Sequence, residues 1–206
     1  MKIGIISDTH DDLDSLRSAI RIFKRERITY LIYAGDFVFP GVVDELKDLK
    51  PELPNIRIIG VLGNNDGEKL MLFKKFIEIG AELNAEFADI KISSSRFGIY
   101  HGTNENLREA AIRSGIYDVF IHGHTHKRRN ETIEIALKND TVIKRIQVLN
   151  PGTAHRNFPN IEKKIEKIPS IIIYDTEDKR YHFVNLITDE AIEEPLKISR
   201  YCISKT

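Results

Sequence analysis

A chain of 206 residues with 41% apolar and 30% charged content can fill a core, which excludes a disordered protein and makes one domain over 1–206 the simplest organisation. Its 31 basic residues balance its 31 acidic ones, which argues against a protein that tracks a polynucleotide backbone but leaves small phosphorylated substrates open. One cysteine, Cys202, excludes an internal disulfide and a cysteine-based zinc site, and no run approaches the roughly 20 apolar residues of a membrane span.

The N-terminal MKIGIISDTH holds too short an apolar run for a secretory leader, so a cytoplasmic location is expected. Within it, KIGIISD is a continuous apolar stretch of strand length, the pattern of a strand buried on both faces. LDSLRSAIRIFKRE (13–26) places Leu13, Leu16, Ile20 and Phe23 at helical spacing, with Asp11 or Asp12 available as N-cap. TYLIYAGD (29–36) reads as a second buried strand, and PGVVDELKDL (40–49) as a short helix with Pro40 near its start. NIRIIGVLGNND (55–66) is a third strand, and EKLMLFKKFIEIG (68–80) an amphipathic helix closed by Gly80. This β-α-β-α-β-α order implies a parallel sheet with right-handed crossovers.

Beyond residue 86 the pattern turns β-rich. EFADIKISSSRFGIYHG predicts two strands about a serine turn, ENLREAAIRSG a helix and YDVFIHGH another buried strand. Two hairpins follow, over 130–152 with KND (138–140) at the turn and over 169–186 with TEDK (176–179) at the turn. Between them, the charged NIEKKIEK (160–167) reads as a surface insertion or short helix, and Cys202 as a small apolar residue in a last strand or tail. The expected fold class is mixed α/β: two sheets packed face to face with helices outside.

In open α/β sheets, ligands gather beyond the carboxyl ends of the strands. Here the first strand runs into Asp8 and His10, the second into Asp36 and the third into Asn64. FGIY (97–100) ends at His101, and YDVFI (117–121) runs into His122, His124 and His126. Singly, each has a plain explanation as a helix cap or a strand-end hydrogen-bonding group. Delivery of such residues by five strands to one edge is not explained by capping. Two carboxylates, several imidazoles and an amide oxygen form a mixed nitrogen and oxygen donor set, suited to Mn, Fe, Zn, Ni or Co. With one shared carboxylate their number serves two ions, and a two-ion centre clamps the attacking and leaving oxygens of a phosphoryl transfer.

DTH (8–10), GD (35–36), GNND (63–66), HG (101–102) and GHTH (123–126), in this order, resemble the calcineurin-like metallophosphoesterase family. The likeness is to its small single-domain phosphodiesterases of bacteria and archaea, and NPGT (150–153) resembles a further loop of that branch. The resemblance implies a four-layer α-β-β-α fold and two divalent ions, with manganese expected to serve in vitro and nickel, iron, cobalt or zinc as substitutes. It implies that Asp8, His10, Asp36 and His126 hold one ion, and Asp36, Asn64, His101 and His124 the other. It also implies direct attack on phosphorus by a hydroxide bridging the ions, on a small phosphate-ester substrate. A homodimer or homotetramer fits the branch.

His122 matches no ligand of that pattern and reads as a strand-end residue or a hydrogen-bond donor behind the ligands. Asp66 is expected to buttress a neighbouring ligand. Many family members carry histidine where this chain has Asn65, and asparagine cannot act as a proton donor to the leaving group. His155 is then the candidate acid, with an exposed loop histidine as its plain reading. Arg128 or Arg129 in KRR could hold a substrate phosphate or simply begin a solvated strand. Thr103 and Asn104 could line the site or cap the following helix. Phosphomonoesterase activity is the first alternative; a metal-binding interaction scaffold, as in a family member of the eukaryotic endosomal sorting coat, is the second. Retention of every ligand of the pattern favours catalysis, and charge neutrality disfavours a nuclease.

Overall fold

The computed structural model of the chain describes residues 1–137, 141–156 and 168–203. Three parallel strands, β1 (Lys2–Ile6), β2 (Tyr30–Tyr33) and β3 (Arg57–Val61), lie side by side. They are linked by α1 (Leu13–Glu26) and by α2 (Val42–Glu45), which tightens into a 3-10 turn (Leu46–Leu49). α3 (Lys69–Glu78) leads from β3 to β4 (Glu82–Asn84), a fourth parallel strand. α1 starts where the Asp12 carboxylate accepts the Ser15 N–H at 2.9 Å, which settles which of the two aspartates caps it.

The second half supplies β5 (Phe87–Ile92), β6 (Ser95–Tyr100), α4 (Glu105–Arg113), β7 (Val119–Ile121), β8 (Arg128–Leu137) and β9 (Val142–Pro151). β10 (Ser170–Asp175), β11 (Tyr181–Asn185), β12 (Ala191–Ile192) and β13 (Lys197–Ile203) complete the chain. Strand order is β12-β11-β10-β1-β2-β3-β4 in one sheet and β13-β8-β9-β7-β6-β5 in the other. The late hairpin β10–β11 joins the first sheet, β10 running antiparallel to β1. The sequence pattern showed the hairpin but not its partner. β4 and β12 were not anticipated; with three and two residues they are too short to show a period. Cys202 lies in β13 and is exposed. The KND turn and the NIEKKIEK segment lie outside the described residues.

The sheets pack through Ile3, Ile5, Ile32 and Val61 on one side and Phe97, Ile99, Ile121 and Leu149 on the other. α1, α2 and α3 cover the outer face of the first sheet, where Leu16, Phe23 and Phe76 meet Leu31 and Ile58. α4 covers the second, with Ile112 against Phe120, Ile146 and Val148. These are the four layers expected of the fold. Each buried Leu, Ile or Phe contributes roughly 1.5–3 kcal/mol by leaving water, which stabilises the strand frames that carry the polar loops. Among the described residues no helix is long and apolar enough to cross a membrane.

Candidate metal centre

The loops after β1, β2, β3, β6 and β7 converge at one edge of the sandwich. One donor atom from each of Asp8, His10, Asp36 and His126 lies within 4.8 Å of the others. The Nε2 atoms of His10 and His126 approach to 3.1 Å, and His126 Nε2 is 3.3 Å from Asp8 Oδ1. On the other side of Asp36, His101 Nε2 sits 3.3 Å from Asp36 Oδ2 and 3.2 Å from Asn64 Oδ1. The His124 ring stands edge-on to His101 at 5.3 Å. The Asp8–His10–Asp36–His126 cluster thus adjoins His101 and Asn64 at Asp36, with the His124 ring beside His101.

Asp8 and Asp36 are 0% and 1% exposed, and among the described residues no lysine or arginine pairs with either. Buried carboxylates of this kind require a counter-charge, and imidazoles converging on them complete the donor set of a divalent cation. The residues present fit that group. Five of the seven, Asp8, His10, Asp36, His124 and His126, also hold positive φ, between 43° and 66°. Such backbone conformations cost of order 1–3 kcal/mol each, and they persist where the surrounding structure imposes them, often at functional sites.

The electrostatics follow from burial and neighbours. Burial opposes ionisation of Asp36, but the His101 hydrogen bond and charge, with two bonds from Asn65, outweigh it and hold the carboxyl well below the usual range. Burial lowers the His10 pKa, and the charges of Asp36 and Asp8 only partly offset it. Neutral imidazole is the form that binds a metal. For His101, burial is outweighed by Asp36 and Asp8, and its pKa is raised. Its Nδ1 lies 2.7 Å from the Ala34 carbonyl and donates to it, so Nε2 is the nitrogen facing Asp36 and Asn64: protonated it donates to Asp36, and deprotonated it presents its lone pair to a metal.

Two glycines of the motifs are explained by what stands against them. A Cβ on Gly63 would meet Asp36 Oδ1 at 2.2 Å, and one on Gly123 would meet Ser7 Oγ at 2.0 Å and Asp8 Oδ2 at 2.5 Å. Several supporting residues carried no role in the sequence reading. Ser7 Oγ donates to Asp8 at 2.6 Å, and the His124 N–H reaches the same carboxylate. Thr153 Oγ1 donates to the Asp8 carbonyl at 2.9 Å, and Asn150 Nδ2 to the Gly123 carbonyl at 2.8 Å. NPGT therefore ties the GHTH loop to the DTH loop; its signal was the motif itself.

The remaining expected residues separate clearly. The Asp66 carboxylate accepts backbone N–H groups from Asp36, Val38 and Gly63 and is buried. Asn65 is exposed and donates to both Asp36 oxygens. The His155 ring is 6.3 Å from that of His10, at the rim of the first group. His122 is buried behind the ligands with Nδ1 at 3.0 Å from the Gly123 carbonyl, and burial pulls its pKa down to about 3. Arg128 pairs with Glu194, and Arg129 with Glu131 and Glu109. Asn104 caps α4 by accepting from the Leu107 N–H, while Thr103 Oγ1 stands 3.5 Å from Asn64 Oδ1.

The calcineurin-like phosphoesterase superfamily domain matches residues 1–179. A phosphodiesterase of Methanocaldococcus jannaschii is 39% identical over 187 residues, covering 90% of this chain and 99% of that protein. A probable metallophosphoesterase of Methanothermobacter thermautotrophicus is 30% identical over 74% of the chain and 77% of its own length. A solved archaeal phosphodiesterase superposes with a TM-score of 0.72 at 37% identity, covering 90% of this chain and 99% of its own. A phosphoesterase from E. coli shares the fold, with a TM-score of 0.59 at 19% identity over 94% of this chain and 97% of its own.

Proposed function

The chain belongs to the calcineurin-like phosphoesterase superfamily, and from that membership we propose that it hydrolyses small phosphate diesters at a two-ion centre. The observation that carries the reading is the pair of buried carboxylates, Asp8 and Asp36, surrounded by imidazoles and by no fixed cation among the described residues. Diester preference is supported by the 39% identical relative named as a phosphodiesterase.

In this reading Asp8, His10, Asp36 and His126 hold one divalent ion, and Asp36, Asn64, His101 and His124 the other. Manganese is the proposed ion in vitro, with nickel, iron, cobalt or zinc as substitutes; the donor set accommodates each. When bound, such ions lower the pKa of water towards neutrality and neutralise charge on the phosphoryl oxygens. The chain's own groups do the rest. Asp36, shared between the two groups, is held in place by the two Asn65 donors and by Asp66 beneath its backbone. His101 is locked in the tautomer that presents Nε2 by its bond to Ala34. The Asn65 amide is not acidic enough to protonate a leaving alkoxide, so good leaving groups are favoured, and His155 at the rim is the candidate donor for poor ones.

The proposal extends to a single domain over 1–206, a cytoplasmic location, small esters in preference to polynucleotides, and a homodimer or homotetramer. Light scattering after gel filtration reads the last of these.

The test of function is hydrolysis of bis-p-nitrophenyl phosphate beside p-nitrophenyl phosphate, after chelator treatment and with single metals restored. Restored turnover that favours the diester and vanishes in His124→Ala is the expected result. Preference for the monoester makes the protein a phosphatase. No turnover with any ion, in protein that binds metal, overturns the catalytic reading in favour of the scaffold.

A further inference from the structure

A cleft of about 330 Å³ opens beside Asn64, between the loop after β3, the approach to β5 and the first turn of α4. Its apolar walls include Leu62, Tyr100 and Leu107, and the charged side chains lining it are Lys69 and Glu86. Asn64 is one of the proposed ligands of the second ion, so an organic group attached to a phosphate at the centre has this cleft beside it.

The walls are fixed by the protein itself. Tyr100 Oη accepts the Asn104 N–H at 2.9 Å, and its ring stacks with Phe87 at 6.2 Å. Asn104 Oδ1 in turn accepts the Leu107 N–H at 3.1 Å, pinning the start of α4. Leu107 is 59% exposed while Ile112 of the same helix is fully buried, so the leucine lines the cleft and not the core.

Charge decides what such a cleft accepts. One lysine is offset by one glutamate, which makes the lining neutral; a second phosphate or a polyanionic strand needs a net positive wall. Leucines beside a tyrosine ring favour a flat, uncharged surface. The volume lies near the lower end of the roughly 300–1,000 Å³ typical of small-ligand sites, room for one such group.

We propose that this cleft receives the planar, uncharged organic group of the phosphate diester, aryl or nucleoside, and that Leu107 and Tyr100 set the preference for it. The proposal rests on the diesterase reading above. Leu107 and Tyr100 act on affinity for the organic group and leave the phosphoryl chemistry to the ligand cluster.

The test is calorimetric binding to the manganese-loaded protein of methylphosphonate, phenylphosphonate and thymidine 5′-monophosphate. Methylphosphonate and phenylphosphonate share one head and differ in the organic group alone; thymidine 5′-monophosphate presents a nucleoside on a phosphate monoester head. At least one of phenylphosphonate and thymidine 5′-monophosphate is expected to bind about tenfold more tightly than methylphosphonate, a step of about 1.4 kcal/mol. The tighter of the two identifies the group. Leu107→Gln, a change at an exposed position, is expected to remove that advantage and leave methylphosphonate within about twofold of its wild-type affinity. Equal affinity of all three ligands for the wild type overturns the proposal. So does a Leu107→Gln protein in which the order is unchanged or all three weaken alike. If the wild type hydrolyses no diester, the functional reading fails while this affinity order is still measured. If diesters are hydrolysed and the three ligands bind alike, the cleft assignment alone fails.

Discussion

The Asp66 carboxylate accepts the backbone N–H of Asp36 at 3.1 Å, so one buried acid holds the main chain of another. It also accepts from Gly63 at 2.6 Å and Val38 at 2.8 Å, joining the GD and GNND loops. Asp66→Asn keeps the size and turns one acceptor oxygen into an amide NH2 facing backbone N–H groups. A loss of about 1–3 kcal/mol in denaturant unfolding is expected. Manganese affinity should fall by about 10–100-fold, as for other groups that orient ligands. Unchanged affinity in a titration would show that Asp66 supports the fold and not the centre.

Gly123→Ala drives a methyl group into Ser7 Oγ and Asp8 Oδ2. The expected cost is about 1–3 kcal/mol of stability, typical of overpacking, together with loss of metal binding because Asp8 must move. Gly67→Ala is the control: nothing stands within 4 Å of its Cβ position, and it should bind metal like the wild type. Equal behaviour of the two variants would refute the steric account.

Buried His122 gives the metal-free protein an acid sensitivity of definite sign. Its folded pKa, about 3, lies below the ordinary 6.5, so as pH falls the unfolded chain takes up the proton first. Stability is fully present above about pH 6.5 and lost below it at about 1.4 kcal/mol per pH unit, roughly 2 kcal/mol by pH 5. Urea unfolding of the apoprotein between pH 7 and 5 reads the sum of this slope, those of His10 and His124, also lowered by burial, and the opposite one of His101, whose pKa is raised. His122→Gln should flatten it by about one histidine's share. A slope identical to the wild type's would mean that His122 is not held neutral.

Metal content should follow the shared position of Asp36. Two manganese ions per chain are expected for the wild type, one for His126→Ala, and weak retention of both for Asp36→Asn. Elemental analysis after dialysis distinguishes these cases; a His126→Ala protein that still holds two ions would remove His126 from the ligand set.

Asn65→His supplies a proton donor beside Asp36. The rate on a diester with a poor leaving group, diphenyl phosphate, should rise by about a hundredfold, the low side of general acid catalysis. Hydrolysis of bis-p-nitrophenyl phosphate, whose leaving group needs little protonation, should change little. A fall on both substrates would mean that the lost Asn65 amide bond to Asp36 matters more than the acid gained.

The continuous apolar runs at 3–6, 30–33 and 57–61 and the helical spacing over 13–26 correspond to elements found where the pattern put them, because an unbroken run marks a strand buried on both faces and a 3.6 period marks the buried face of a helix. The candidate ligands were legible for a related reason: each lies in the loop that follows a strand end, and strand ends of such sheets share an edge. What no local pattern carries is pairing between distant segments. That β10 lies against β1, or that Asn150 reaches Gly123, is settled by hydrogen bonds between residues far apart in the chain, to which periodicity is blind. The same holds for Leu107, whose place in a helix was evident from spacing but whose exposure beside Asn64 depends on how α4 is laid across the second sheet. Residue order was enough for the frame and the donor chemistry of this protein; packing of the two sheets selected the neighbours, because burial is a property of one segment and contact is a property of two.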